Sequence, residues 1–317
     1  MMQILPASVV IPTRHRAQVL ARTLDSLLVQ NALPTELIVV DASVDDDTRR
    51  IVTEFGVKVN KCCRVLWLGA ETCGAAAQRN QGVAVAAQPV IWFMDDDIIF
   101  EPDCVSRLWA ALQSAPEIGG VNAMITNQCY QAPGRVSRFM FRLMAGEDCA
   151  SYAGRILGPA VNLLPEDRDD LSEVVPVEWL NTTCTMYRRE ALPEPPFPTH
   201  FTGYSLMEDV TLSLLVARSW KLANVRTARI FHDSQPGTHK ADAVALSEME
   251  LVNRHYVMTR VLVRCRWLDY LRLGLWECFQ LAACVAGGAK RAAFLAEVRG
   301  KWRALCHLCV QTKDTIL

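Results

Sequence analysis

Three aspartates in a row, Asp95, Asp96 and Asp97, follow directly on the apolar run from Val90 to Met94. Adjacent carboxylates at the end of a buried segment repel one another and lose hydration, so they call for a positive partner. A hard divalent cation, Mn2+ or Mg2+, suits carboxylate oxygens and can bridge them to a diphosphate. Pro102 and Asp103 open an apolar-periodic stretch just downstream, so the triplet also reads as a solvated acidic cap on a helix. A second acidic pair, Glu208 and Asp209, heads the helical pattern Val210 to Ala217, where the helix dipole favours negative charge. His232 closes the apolar pair Ile230-Phe231 and reads either as a ligand or as a packed histidine.

These residues need a frame. Ser8 to Thr13, Leu37 to Val40, Val65 to Leu68 and Pro89 to Met94 are short apolar runs that read as buried strands. Between them, Val19, Leu20, Leu24, Leu27 and Leu28 follow helical spacing, and further helices fit up to Phe55 and from Ala75 to Ala87. Alternating strands and helices predict an α/β fold with a mostly parallel sheet covered on both faces. In such sheets ligands bind beyond the carboxyl ends of the strands. Thr13, Asp41, the loop from Gly69 and the aspartate triplet all occupy those ends, and are therefore expected to converge on one crevice.

Composition narrows the class. The 317 residues are 51% hydrophobic and 21% charged with a formal net charge of −1, which does not mark a nucleic-acid binder. The 12 cysteines are scattered, several in apolar runs, and Cys306 and Cys309 have no second pair with zinc-site spacing. With no secretory signal in view, reduced thiols and a cytoplasmic setting are expected.

Taken together, the motifs resemble glycosyltransferase family 2. Val9 to Arg16 (VVIPTRHR) is similar to the family's opening strand and loop, and Asp41 to Thr48 (DASVDDDT) to its second acidic loop. Gly74 to Gly82 (GAAAQRNQG) is similar to its small-residue helix, and Phe93 to Asp97 (FMDDD) to its DxD motif. The resemblance implies a GT-A fold, with Rossmann-like sheet and flanking helices, and transfer of a sugar from a nucleoside-diphosphate sugar of UDP type. It implies that Pro12, Thr13, Arg16 and Asp41 line the nucleotide pocket, with Asp95 and Asp96 beside them and Asp97 on the metal. Arg79 is implied to reach the diphosphate or to buttress the acidic residues; by type alone it also reads as a surface helix arginine. Asp209 is implied as the general base, with Glu208 as its substitute, and His232 as a second metal ligand. Lys240, in the loop from Gly237, is implied to meet phosphate when that loop closes. His15 stands where the family often has asparagine, which leaves nucleotide detail open.

The remainder is read more coarsely. Residues 1–242 are expected to form the catalytic domain, with 1–125 as the nucleotide-sugar half and 126–242 as the acceptor half. Residues 126–176, with the cluster Glu166 to Asp170, carry no regular pattern and read as a loop or acceptor lid. Glu178 to Arg189 is similar to a family strand, and Pro193 to Pro198 excludes regular structure. Residues 243–317 read as a basic amphipathic helical extension in which Trp267, Leu271, Leu275 and Phe279 form a stripe. Two readings of that stripe stand: it packs on the catalytic domain, or it meets the inner membrane surface peripherally, which would suit a glycan or lipid-linked acceptor. The apolar stretches there fall short of the roughly 20 residues a spanning helix needs. A sugar nucleotidyltransferase is the competing enzymatic reading, although no glycine-rich, lysine-bearing phosphate loop follows the first strand. A non-catalytic nucleotide or glycan binder on the same fold is the other.

Overall fold

The computed structural model describes residues 2–60, 62–234, 242–288 and 291–314. They fall into two compact units. One comprises the described residues of Met1–Tyr130, Ala153–Arg155 and Leu164–Gln235, the other those of Gln131–Tyr152, Ile156–Leu163 and Pro236–Leu317.

In the first unit β1 (Gln3–Thr13), β2 (Ala32–Asp41), β3 (Arg64–Gly69) and β4 (Val90–Met94) lie side by side in the order β3-β2-β1-β4, all parallel. Helices α1 (Ala17–Leu28), α2 (Asp47–Lys58) and α3 (Ala75–Val85) make the crossovers. Parallel strands covered on both faces must be apolar on both, and β1 is: Leu5, Ala7, Val9 and Ile11 enter one core cluster while Val10 is buried apart from it, under α3. That second face demands a glycine. A Cβ on Gly82 of α3 would sit 2.4 Å from Val10 Cγ1, so only a bare backbone lets the helix approach the sheet this closely.

Beyond β4 the chain adds β5 (Ile98–Phe100), α4 (Cys104–Gln113) and β6 (Ile118–Ile125). After an excursion through the second unit come β9 (Val174–Val177), β10 (Cys184–Arg188), α6 (Glu208–Val216) and β11 (Lys221–His232). Among the described residues the sheet has nine strands and continues β4-β10-β6-β11-β5, with β9 on β11. β10 runs antiparallel between β4 and β6, and β11 is parallel to β6 but antiparallel to β5 and β9. The strand expected over Glu178 to Arg189 is confined to Cys184–Arg188, and the apolar pair Ile230-Phe231 is the end of a strand that starts at Lys221. β11 is long because it pairs with three neighbours, β5, β6 and β9, a tertiary demand that its local pattern does not reveal.

The second unit differs from a simple C-terminal extension beginning at 243. It gathers α5 (Arg135–Ala145) and the hairpin β7 (Ile156–Leu157) and β8 (Val161–Asn162) together with α7 (Ala243–Tyr256), a π-helical turn (Val257–Val261), α8 (Trp267–Ala286) and α9 (Arg291–Asp314). A stretch that had read as irregular thus contains a helix. One core cluster joins Leu251, Val252, Met258, Leu273 and Ala304, and Met144, Tyr152, Leu157, Val161, Val257 and Trp276 are buried as well. Around it Glu277 of α8 is paired with Lys301 of α9 and, at 3.3 Å, with Arg254 of α7, all three buried. No helix among the described residues is long and apolar enough to cross a membrane. α8 buries Leu273, Trp276 and Glu277, whereas Trp267, Leu271 and Leu275 of the expected stripe are exposed. Phe279, the fourth residue of that stripe, is half-buried and packs against Trp276.

Candidate active site

The carboxyl end of β4 delivers Asp95, Asp96 and Asp97 into three different surroundings. Asp95 is anchored by its backbone N–H, which donates to Thr183 O (2.9 Å), and its Oδ1 accepts from Arg79 (2.7 Å). Asp96 turns into the protein: it accepts from Thr13 Oγ1 (2.5 Å), pairs with Arg16 (2.8 Å), and its carbonyl accepts from Thr23 (2.7 Å). Burial pushes Asp96 up to about 7, against the pull of Arg16 and the Thr13 hydroxyl. Asp97 accepts from Arg16 (2.7 Å) and lies 3.0 Å from His232 Nε2; burial opposes its charge, but His232 and Arg16 hold its carboxyl below the ordinary value.

Strand register explains how a histidine 135 positions away reaches Asp97. β11 pairs with β5 so that His232 faces Ile98, and the Asp233 N–H donates to Asp97 O (2.8 Å). Asn127 fixes the same residue through its backbone on both sides, accepting from His232 N (3.0 Å) and donating to His232 O (2.9 Å). Gln128 places its amide nitrogen 3.1 Å from Nδ1. These contacts hold the ring from behind.

Asp95, Asp97 and His232 each offer one ligand atom, and these atoms all lie within 4.8 Å of one another. Two carboxylate oxygens and an imidazole nitrogen form a donor set that suits Mn2+ or Mg2+. Asp95, expected beside the nucleotide pocket, is thus also one of three residues that could hold an ion.

Arg79 ties the two acidic motifs together. It is buried on α3, bonded to Asp95 and, at 2.9 Å, to Glu208, with Phe197 beneath its guanidinium at 5.8 Å. The surface reading of this arginine is overturned, and buttressing is what the structure displays. Glu208 is buried and engaged by Arg79; burial and the neighbouring Asp209 push it up to about 8. Asp209 is partly exposed, accepts from the Val210 N–H (2.7 Å), and is pushed up to about 6, chiefly by burial, with Arg79 pulling it down.

The approach of α6 depends on a loop in unusual backbone states. Gly203, Ser205 and Met207 all have positive φ (58°, 60° and 75°), a run that costs energy for the two non-glycine residues. It is pinned to α3: Gly203 bridges Gly74, its carbonyl accepts from Ala75 N (3.1 Å), and Ser205 Oγ accepts from Ala76 N (3.3 Å). Gly74 itself has φ 154° and Gly203 N within 3.1 Å of where a Cβ would lie. This loop presents Tyr204, whose hydroxyl is held up by burial and by the charges of Asp95, Glu208 and Asp97. The sequence reading missed Tyr204 and Gln128; the only signal for the tyrosine was its place four residues before Glu208.

The residues expected around the nucleotide are partly turned inward. Thr13 and Arg16 serve the aspartates, as above. Asp41 is buried, its Oδ1 taken by Ser43 N (2.9 Å) and Oγ (2.5 Å) and its Oδ2 by Trp67 Nε1 (3.2 Å). Pro12 sits opposite Val40 in the sheet. Gln78 joins β1 and β2 by donating to Thr13 O (3.0 Å) and Val40 O (2.8 Å), which holds the two strand ends at one level. Lys240 lies outside the described residues.

Comparison with known proteins places this architecture. A mannosyltransferase from Pyrobaculum calidifontis, solved with GDP-Man and Mn2+, aligns over 95% of this chain and 87% of its own with a TM-score of 0.57 at 14% identity. GalNAc-T7, solved with UDP, GalNAc and Mn2+, aligns over 80% of this chain and 47% of its own with a TM-score of 0.56 at 15% identity. At those identities the likeness is one of fold, and the fold is GT-A. In sequence, an uncharacterized glycosyltransferase of Nostoc sp. is 26% identical over 77% of this chain and 69% of its own length. Validoxylamine A glucosyltransferase of Streptomyces hygroscopicus subsp. limoneus is 33% identical over 33% of this chain and 23% of its own. The model of glycosyl transferase family 2 matches residues 8–194. This chain belongs to that family and is a glycosyltransferase.

Proposed function

We propose that the protein transfers a glycosyl group from a nucleoside-diphosphate sugar, of UDP type, to a hydroxyl of a glycan or lipid-linked acceptor, with inversion at the anomeric carbon. The observation that carries this reading is the meeting of Asp95, Asp97 and His232 within 4.8 Å, with Arg79 linking Asp95 to the acidic pair on α6. Asp95, Asp97 and His232 would hold Mn2+ or Mg2+; such an ion supplies Lewis-acid stabilisation of the diphosphate leaving group. Asp209 accepts the proton of the acceptor hydroxyl as its oxygen bonds to the anomeric carbon and the nucleoside diphosphate departs. Glu208 does not compete for that role, because Arg79 already engages it. Arg79 orients Asp95 and Glu208 together. The helices of the second unit provide a surface for peripheral contact with a membrane that would carry such an acceptor.

The test is a thermal-shift series with UDP and GDP, each with and without Mn2+, repeated on Asp97→Ala. The wild-type chain shows a nucleotide-selective, Mn2+-dependent shift and metal-dependent transfer; Asp97→Ala loses both and keeps its circular dichroism spectrum. Transfer undiminished in excess chelator removes the metal role.

A further inference from the structure

The whole-chain charge of −1 hides a strong division. The first unit carries 18 Lys and Arg against 25 Asp and Glu, the second 15 against 9, so the second is positive by six. Its helix α5 arranges that charge beside exposed apolar side chains. Val136, Phe139 and Leu143 recur at helical spacing and are 72%, 65% and 36% exposed. Arg135, Arg138 and Arg142 recur one residue earlier each time, about 100° round the helix, and are exposed too. Of the eleven residues only Met144 is buried. Arg138 does contact Asp148 at 3.2 Å, but both are half-exposed, and such a pair is worth little in water.

Two further helices of the same unit repeat the theme. At the start of α8, Trp267 is 72% exposed beside the exposed Arg266; on α9, Trp302 is 67% exposed beside the exposed Arg303. Basic side chains flanking an apolar stripe, with tryptophans among them, are what binds a helix into the headgroup layer of an anionic bilayer. A second copy of this chain fits the face poorly, since pairing it with itself would bring two positive units together.

We propose that α5 is an interfacial membrane-binding helix selective for anionic lipid, inserting Val136 and Phe139 while its arginines meet lipid phosphates. This deepens the membrane contact suggested above by naming the element and the lipid chemistry, and it stands apart from the transfer chemistry. The experiment is flotation of the full chain with phosphatidylcholine vesicles, with and without phosphatidylglycerol. The wild type is expected to float with the anionic vesicles alone and to be released by high salt. Since a basic residue near an anionic surface is worth roughly fivefold in partitioning, the triple variant Arg135→Gln/Arg138→Gln/Arg142→Gln loses on the order of a hundredfold. Val136→Ser/Phe139→Ser also stays with the unbound protein. Both variants keep the Mn2+-dependent nucleotide shift, which reads the catalytic proposal separately from this one. Wild-type protein that fails to float with either vesicle, or variants that float like the wild type, overturn the proposal. A lipid-free dimer in sedimentation velocity that both variants dissociate would assign the face to a second copy and overturn it as well.

Discussion

At the scale of single residues, each carboxylate takes its role from what surrounds it. Asp96 and Asp97 are neighbours of the same chemical type, yet one is turned into the protein towards Thr13 and the other lies beside His232. Glu208 and Asp209 divide in the same way, the first held by Arg79 and the second left partly open. A base must be ionised to accept a proton, and burial pushes Asp209 up to about 6. The rate of the chemical step is therefore full above that value and declines as pH falls through it. Asp209→Asn is expected to lower kcat by about 10²–10⁴-fold, with donor KM little changed, and to abolish the acidic limb of the pH profile. Steady-state kinetics across pH would expose the error if the mutant retained the wild-type limb.

Elements decide where those residues arrive. The tight seat of α3 on β1 fixes Arg79 and Gln78 relative to the strand ends, and Gly82 makes that seat available. Gly82→Val would press a branched side chain onto Val10 in a packed interior. Overpacking of this kind costs about 1–3 kcal/mol, read as a lower denaturant midpoint at constant m-value. A midpoint at or above that of the wild type would mean that the helix yields. The Gly203–Met207 loop is the other positioning device, and its grip on the start of α3 brings the acidic pair to Arg79.

For the molecule as a whole, both units have apolar interiors, and the second adds a charged one. The first has an extensive apolar core around its sheet; the second sets a buried ionic knot among its buried apolar side chains. Desolvation opposes the Lys301 charge, and Glu277 more than restores it, holding the ammonium above its ordinary value. Glu277→Ala would remove the carboxylate that Lys301 and Arg254 share and leave them to Glu297 and Glu250, a loss smaller than the roughly 3–5 kcal/mol of an uncompensated buried charge. Loss of helical circular dichroism at a lower temperature than in the wild type is the expected result. An unchanged melting curve would show that Glu297 and Glu250 suffice for the two cations.

The sequence by itself determined the alternating strands and helices of the first hundred residues, the meeting of Thr13 with the aspartates beyond the strand ends and the DxD and Glu-Asp motifs. Those signals are local, set by apolar period and by polar residues directly after strands. It could not distinguish among the three aspartates, because that depends on Thr13, Arg16, Arg79 and His232 converging from four other elements. Nor could it make Arg79 internal, or find α5, whose apolar and basic stripes face outward and so leave no core pattern to read. It left Tyr204 and Gln128 silent, since each matters only through the loop or strand beside it. Tertiary structure decided these points for one physical reason: burial and charge pairing are properties of neighbours distant in the chain, and only folding supplies the neighbours.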